Sequence, residues 1–278
     1  MTRARAAKPE VRQAEAIQNL GGRPIRWDQW QHALGGLDDA ARIQAGRSWL
    51  GRTKQEHLAV GAFAMLVTEL AAEGCDPIVL SLLTRASSDE VRHTEICRKM
   101  AAGLLGDSEV PKRFRGLPSI PKHTGAPVEA RNLCHVVEMC CLSETLTGVF
   151  LTEMLARIPP GKAGGTPRMA VESLLEDEID HGRVGWAFLA ARARDKRLDG
   201  LAEALPSMLD RTMAWVFDWC REKPEEDRAE LEAVGYLGSR ASDAIFRRTL
   251  KSVILPGFEA CDVDVRPAKE HAAARGWI

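Results

Sequence analysis

Two short segments of this chain carry the same pair of metal-binding side chains at the same spacing, Glu90-Val-Arg-His93 and Glu178-Ile-Asp-His181. Residues i and i+3 of an α-helix share a face, so a carboxylate and an imidazole placed this way can reach one ion. A single match is weak evidence in a chain with 7 histidines, because short motifs recur by chance. Position strengthens the pair. Glu56 precedes Glu90 by 34 residues (90 minus 56), and Glu144 precedes Glu178 by the same 34 (178 minus 144). The triplet Glu56, Glu90, His93 therefore returns as Glu144, Glu178, His181 at an offset of 88 (144 minus 56).

Four carboxylates gathered in a protein interior repel one another and are costly to bury without counterions, a cost that two divalent cations remove. Oxygen-rich ligation with one imidazole per ion suits iron or manganese, and the lack of cysteine in the pattern argues against structural zinc. Asp89 and Asp177 stand immediately before the motif glutamates. Each is a candidate to hydrogen-bond a ligating imidazole across the bundle.

The elements that must position these residues read as helices. From Leu37 to Glu73 apolar residues recur at steps of three and four, and Gly74 ends the segment. Asp76 followed by Pro77 is a helix start, since Asp caps well and Pro is tolerated in the first turn, and this second helix runs to about Leu105. Gly106 to Pro127 contains Pro111, Pro118, Pro121 and Pro127 and reads as a long connection. A third helix over Val128–Ile158 and a fourth over Pro167–Arg194 follow, separated by the turn residues Pro159, Pro160, Gly161, Gly164 and Gly165. Glu56 and Glu144 lie 17 and 14 residues before the ends of their helices (73 minus 56, 158 minus 144), and Glu90 and Glu178 lie 13 and 11 residues into the returning ones (90 minus 77, 178 minus 167). Antiparallel packing brings all six side chains to one level. Hairpin, long crossover and hairpin is the layout of a four-helix bundle with one crossover connection. The expected organisation is an N-terminal arm over 1–36, the bundle over 37–195, and 196–278 as about two further helices (198–222 and 225–254, the latter interrupted near Gly235 and Gly238) with a C-terminal tail. Trp27 and Trp30 are candidate docking points for the arm, which carries no expected chemistry.

These residues resemble the metal site of the ferritin-like di-iron carboxylate superfamily, in which two Glu-x-x-His helices and two single-Glu helices hold the metals. The resemblance covers about residues 40–195. It implies an all-α, ferritin-like fold with Glu56 and Glu144 as terminal ligands, Glu90 and Glu178 as bridging ligands, and His93 and His181 as one imidazole for each ion. The implied cofactor is two non-heme iron ions, with Mn/Fe or Mn/Mn pairs as alternatives. Within the superfamily, ribonucleotide reductase small subunits carry a radical-bearing tyrosine one turn after the first motif histidine. Cys97 stands there, and the single tyrosine of this chain is Tyr236. Ferritins and rubrerythrins are usually shorter, and the chain has no C-x-x-C pair for a rubredoxin module. The expectation is an oxidase or oxygenase that activates O2 to oxidise a small organic substrate by hydroxylation, desaturation or N-oxygenation, with an external electron donor. An iron-storage or ferroxidase protein, a rubrerythrin-like peroxidase, a dimanganese catalase, and a bundle whose metal is vestigial or structural are the alternatives. The resemblance leaves room for a homodimer.

Composition bounds the remaining classes. With 38 basic against 39 acidic residues the chain has a net charge of -1 and no general attraction to phosphate backbones, so no nucleic-acid partner is expected. Its 7 cysteines are odd in number and suit buried thiols in a reducing compartment. The N-terminus has no apolar signal core and no run of about 18 apolar residues occurs, so the expectation is a soluble cytoplasmic protein without a membrane partner. Glu69, Glu138 and Glu153 are rival helix glutamates whose heights do not match both partners, and they read as surface or supporting groups. His57 points about 100° away from Glu56 and reads as a packed or supporting residue. His123 and His135 have no partner pattern, Cys140 and Cys141 read as core fillers, and Trp186, Trp215 and Trp219 suit the seams of the extra helices. Gly148, one turn after Glu144, invites either close helix packing or a pocket beside the metals.

Overall fold

The computed structural model describes residues 22–118, 123, 126–220 and 228–278. Residues 1–21 of the expected arm, Pro121 and its neighbours in the crossover, the predicted helix end at 221–222, and the side chains of Trp215 and Trp219 lie outside the described set. Among the described residues every regular element is helical.

Helix α1 spans Asp39–Ala72, started by the Asp38 carboxylate accepting from the Ala41 amide at 2.7 Å. Helix α2, Pro77–Leu105, is started in the same way by Asp76, which accepts from Ile78 at 2.7 Å with Pro77 in the first turn. Helix α3 is continuous over Val128–Arg157 but has three parts. Val128–Val136 and Thr145–Arg157 are α-helical, and the Val137–Glu144 stretch between them is π-helical, with the wider i→i+5 turn. Helix α4 spans Gly165–Arg194. The short links make α1 with α2, and α3 with α4, antiparallel hairpins, and the hairpins meet where α2 packs on α4. α3 also runs antiparallel to α1: Asn132 and His135 near its start bond Glu73 and Glu69 near the end of α1, while Arg52 reaches Met154 at the other end.

Fully buried Phe63, Leu66, Leu70, Leu83, Met100, Leu104, Leu133, Leu142 and Phe150 fill the space between these helices. Each is worth about 1.5–3 kcal/mol relative to exposure, and together they offset a polar centre. α3 is long and apolar enough to cross a membrane by length and composition, yet 67% of its most apolar window is buried against the other helices. Core packing accounts for its composition.

The C-terminal region departs from expectation. Beyond α5 (Leu201–Cys220) the described residues form two further helices of more than one turn rather than one. The described part of the stretch read as helix from 225 has a single turn at Ala229–Glu232 and a helix from Ser239, because the chain turns away at Gly235 (φ +76°) and Trp49 Nε1 donates to the Val234 carbonyl at 2.9 Å. Helix α6 then runs through Ser239–Thr249, a π-helical Leu250–Ile254 and Leu255–Ala260. Its wider turn lets Pro256 continue the helix where a regular α turn would clash. Helix α7, Arg266–Ala274, occupies what was read as tail and packs on α5. The described part of the arm, 22–36, is docked: Trp30 lies over Gly103, and the carbonyls of Arg26 and Gln29 accept from Thr166 Oγ1 and N at 2.6 and 3.0 Å.

Two glycines show opposite packing. A Cβ on Gly185 of α4 would lie 2.4 Å from Cys140 Cβ and 3.0 Å from the Cys140 carbonyl carbon and the Cys141 nitrogen, so α4 approaches the π-helical stretch of α3 only because residue 185 lacks a side chain. A Cβ on Gly148 meets nothing within 4 Å although the residue is buried, so this glycine borders open space rather than a neighbouring helix. Gly185→Ala should therefore lower stability by about 1–3 kcal/mol, whereas Gly148→Ala should raise it by up to about 1 kcal/mol. Denaturant midpoints of the two variants check this, and equal effects of the same sign would contradict it.

Candidate metal centre

The helices deliver the six side chains to one buried place. Glu56 comes from α1, Glu90 and His93 from α2, Glu144 from the last residue of the π-helical stretch of α3, and Glu178 and His181 from α4. All six are buried, Glu90 and His93 completely. Their ligand atoms form two overlapping groups able to hold a metal ion, Glu56, Glu90, His93, Glu178 and Glu90, Glu144, Glu178, His181, with all donors of a group within 4.8 Å of one another. Glu90 and Glu178 belong to both groups. Carboxylates shared in this way can bridge two ions.

Each imidazole turns Nδ1 inward. His93 Nδ1 lies 3.6 Å from Glu90 and 3.4 Å from Glu178, and His181 Nδ1 lies 3.2 Å from Glu90, 3.4 Å from Glu178 and 3.9 Å from Glu144. Both oxygens of Glu90, one of Glu178 and both Nδ1 atoms have no hydrogen-bond partner among the described residues. Buried polar atoms are normally paired, and such a convergent set of carboxylate oxygens and imidazole nitrogens is the donor chemistry of a metal ion. Each of the two groups could hold one.

The outward nitrogens meet the two aspartates across the α2/α4 seam. His93 Nε2 lies 3.2 Å from Asp177 Oδ2, and His181 Nε2 faces Asp89 Oδ2 at 3.6 Å, beyond hydrogen-bond length. The two halves are therefore unequal. Asp177 is also paired with the buried Arg92 guanidinium, which donates to Ser173 Oγ at 2.9 Å. Asp89 has the exposed Arg85 at 3.6 Å, and a cleft of about 300 Å³ reaches Asp89 and His181 past Leu82, Ala86 and Val184. Phe63 covers the His181 ring edge-on at 5.2 Å.

Two arginines on the inner faces escaped the sequence reading. Arg52, one turn before Glu56, donates from Nε to Glu56 at 3.0 Å, and Arg92 sits inside the first motif. The available signal was their i−4 and i+2 placement relative to ligand positions, but arginine in a helix is ordinarily solvated. The rival glutamates are engaged elsewhere: Glu69 with His135, Glu138 with Arg211, and Glu153 with Arg157 and Arg248. His57 lies near Phe114, its ring centroid 6.2 Å away, and His123 near His135 at 5.4 Å. Cys140 and Cys141 are buried, and burial pushes the Cys140 thiol up to about 12. Cys97 is a protonated thiol 4.0 Å from Glu56, held well above its ordinary range by burial and then by that carboxylate. Trp186 sits in the seam with α6, its ring 5.1 Å from Phe258.

Without cations the cluster keeps its charge down with protons. Burial, followed by repulsion from Glu90 and Glu178, pushes the Glu56 carboxyl up to about 8. Burial and Glu178 hold Glu144 well above the carboxylate range. Burial opposes a charge on His93, but Glu90 and Glu178 outweigh it and raise the imidazole to about 9. His181 is raised in the same way, by Asp89, Glu178 and Glu90 against burial.

Groups with raised pKa values hold their protons at neutral pH and must release them to bind metal. Divalent-cation affinity should therefore climb steeply from pH 6 to about 9, with about two to four protons released per chain on loading. Calorimetry in buffers of different ionisation enthalpy measures this, and pH-independent binding would contradict it. The unequal halves predict that Asp177→Asn lowers the affinity for one of two ions by about 10–100-fold while Asp89→Asn has a smaller effect. Equal losses in a competitive chelator titration would count against that asymmetry.

No family model matches this sequence, and no curated protein matches it significantly.

Proposed function

We propose that the chain is a ferritin-like four-helix di-metal protein that holds two non-heme iron ions and activates O2 to oxidise a small organic substrate by hydroxylation, desaturation or N-oxygenation. The observation that carries this reading is the set of buried, unpartnered donor atoms on Glu90, Glu178, His93 and His181, with both carboxylates common to two cation-holding groups. When bound, the iron pair supplies electrons to dioxygen.

The side chains of this chain set the conditions for that chemistry. Glu56, Glu90, Glu144 and Glu178 supply four negative charges, which balance two divalent cations. Asp177, fixed by Arg92, orients the His93 ring so that Nδ1 faces inward. Arg52 holds Glu56 in position at 3.0 Å. Phe63, Leu66, Leu142 and Leu146 are buried along the same helices and keep water out. The open space beside Gly148, one turn from Glu144, is the natural seat for a substrate. In a hydroxylation one oxygen atom enters the C–H bond and the other leaves as water, with two electrons and two protons drawn from an external donor. The cleft at Asp89 and His181 offers an approach from solvent.

The test is metal analysis of the purified protein combined with rapid mixing of the reduced, iron-loaded protein with O2. The proposal expects about two iron ions per chain, an absorbance transient on mixing, and oxygen uptake that depends on an added small molecule. Chelation should lower the melting temperature, and the His93→Ala, His181→Ala double variant should lose metal. Normal two-metal loading in that variant would sink the ligand assignment. Iron uptake far above two per chain would favour storage, and a two-manganese protein that disproportionates hydrogen peroxide would favour a catalase.

A further inference from the structure

A second cavity, of about 160 Å³, lies between α1 and α3 and contains none of the six cluster residues. Ala62, Leu66 and His135 form its buried base, and Met65, Pro118, Glu138, Met139 and Ser143 its part-exposed mouth. Three of these, Glu138, Met139 and Ser143, belong to the π-helical stretch Val137–Glu144. Pro118 brings the crossover against α1, where a Cβ on Gly61 would lie 2.9 Å from its ring.

Size, wall and charge narrow the occupant. A cavity of about 150 Å³ lined by apolar side chains accepts a benzene ring, so this one takes a molecule of about one ring. Two thioethers, Met65 and Met139, stand on its wall, and sulfur contacts favour aromatic rings. The ionisable groups on the wall are already engaged: Arg211 grips both oxygens of Glu138 at 2.6 and 2.7 Å, and His135 Nδ1 bonds Glu69 at 2.8 Å. A charged guest would find no unengaged counter-charge among the described wall residues and would have to be desolvated. The Ser143 hydroxyl can donate to or accept from one polar substituent. We propose that this cavity is a binding pocket for an uncharged, single-ring aromatic molecule bearing one hydrogen-bonding group. None of the six cluster residues lines the pocket, although Ser143 adjoins Glu144 in the same π-helical stretch.

Phenol, benzoate and benzylammonium can be titrated into the metal-free protein and into its Co(II)-loaded form, with binding followed by calorimetry and ligand-observed NMR. Phenol should saturate one site per chain in both forms and bind more tightly than either ion. Ala62→Phe, which fills the base, should weaken phenol by at least about tenfold, with the melting temperature recorded to confirm folding. Met139→Ala, which enlarges the mouth, should shift preference toward 2-naphthol and decides the matter if the first variant does not fold. Absence of saturable phenol binding, tighter binding of a charged probe, or unchanged binding in both variants would overturn the pocket. Because metal-free protein is included, a failure here leaves the two-metal reading standing, and a protein that binds phenol but loads no metal would do the reverse.

Discussion

Four carboxylates and two imidazoles share one buried space between α1, α2, α3 and α4, and the rest of the molecule is arranged around the cost of that gathering. Bringing like charges together in a medium of low dielectric is unfavourable unless protons or cations offset them. In the metal-free chain protons do so: Glu56 and Glu144 are pushed toward the neutral acid, and His93 and His181 toward the charged imidazolium. A bound cation would offset the same charge with inward-facing donors already in place. The surrounding apolar side chains supply the stability that such a centre consumes.

The sequence repeat that announces the site is more symmetric than the site itself. Both triplets have the same spacing, and both aspartates face the imidazole of the other motif across the α2/α4 seam. Their support differs. On the His93 side Asp177 is tied to a buried arginine and through it to Ser173, and the docked arm residue Gly22 covers that arginine so closely that a Cβ there would meet its guanidinium at 2.4 Å. On the His181 side the ion pair of Asp89 is with the exposed Arg85 at 3.6 Å, which also reaches Asp177 at 3.8 Å, and a cleft opens to solvent. A local repeat constrains what each helix presents, while the third-party contacts that stiffen it come from unrelated parts of the chain.

The π-helical stretch of α3 links several of these features. Its wider turn ends on Glu144, so it sets the angle at which that carboxylate enters the cluster. The same stretch receives α4 at Gly185, where a Cβ would strike Cys140, and forms much of the wall of the ring-sized pocket. Glycine thus has two opposite uses on facing helices: Gly185 permits contact, and Gly148 leaves space one turn beyond a cluster residue.

The sequence alone was enough for the helices of the two hairpins, because the start at Asp76, the stop at Gly74 and the 3.6-residue apolar period are local properties of neighbouring residues. It was also enough to single out the six side chains, since i, i+3 spacing and equal helix offsets convert directly into a shared face and a shared level. Tertiary structure decided the rest. The π-helical turn, the burial of Arg52 and Arg92, the docking of residues 22–36 and the continuation of α6 through Pro256 each depend on what packs against them from far along the chain. No nearest-neighbour pattern encodes a partner 80 residues away. An arginine four residues before a glutamate reads as a solvated surface pair until the helix that buries it is in place.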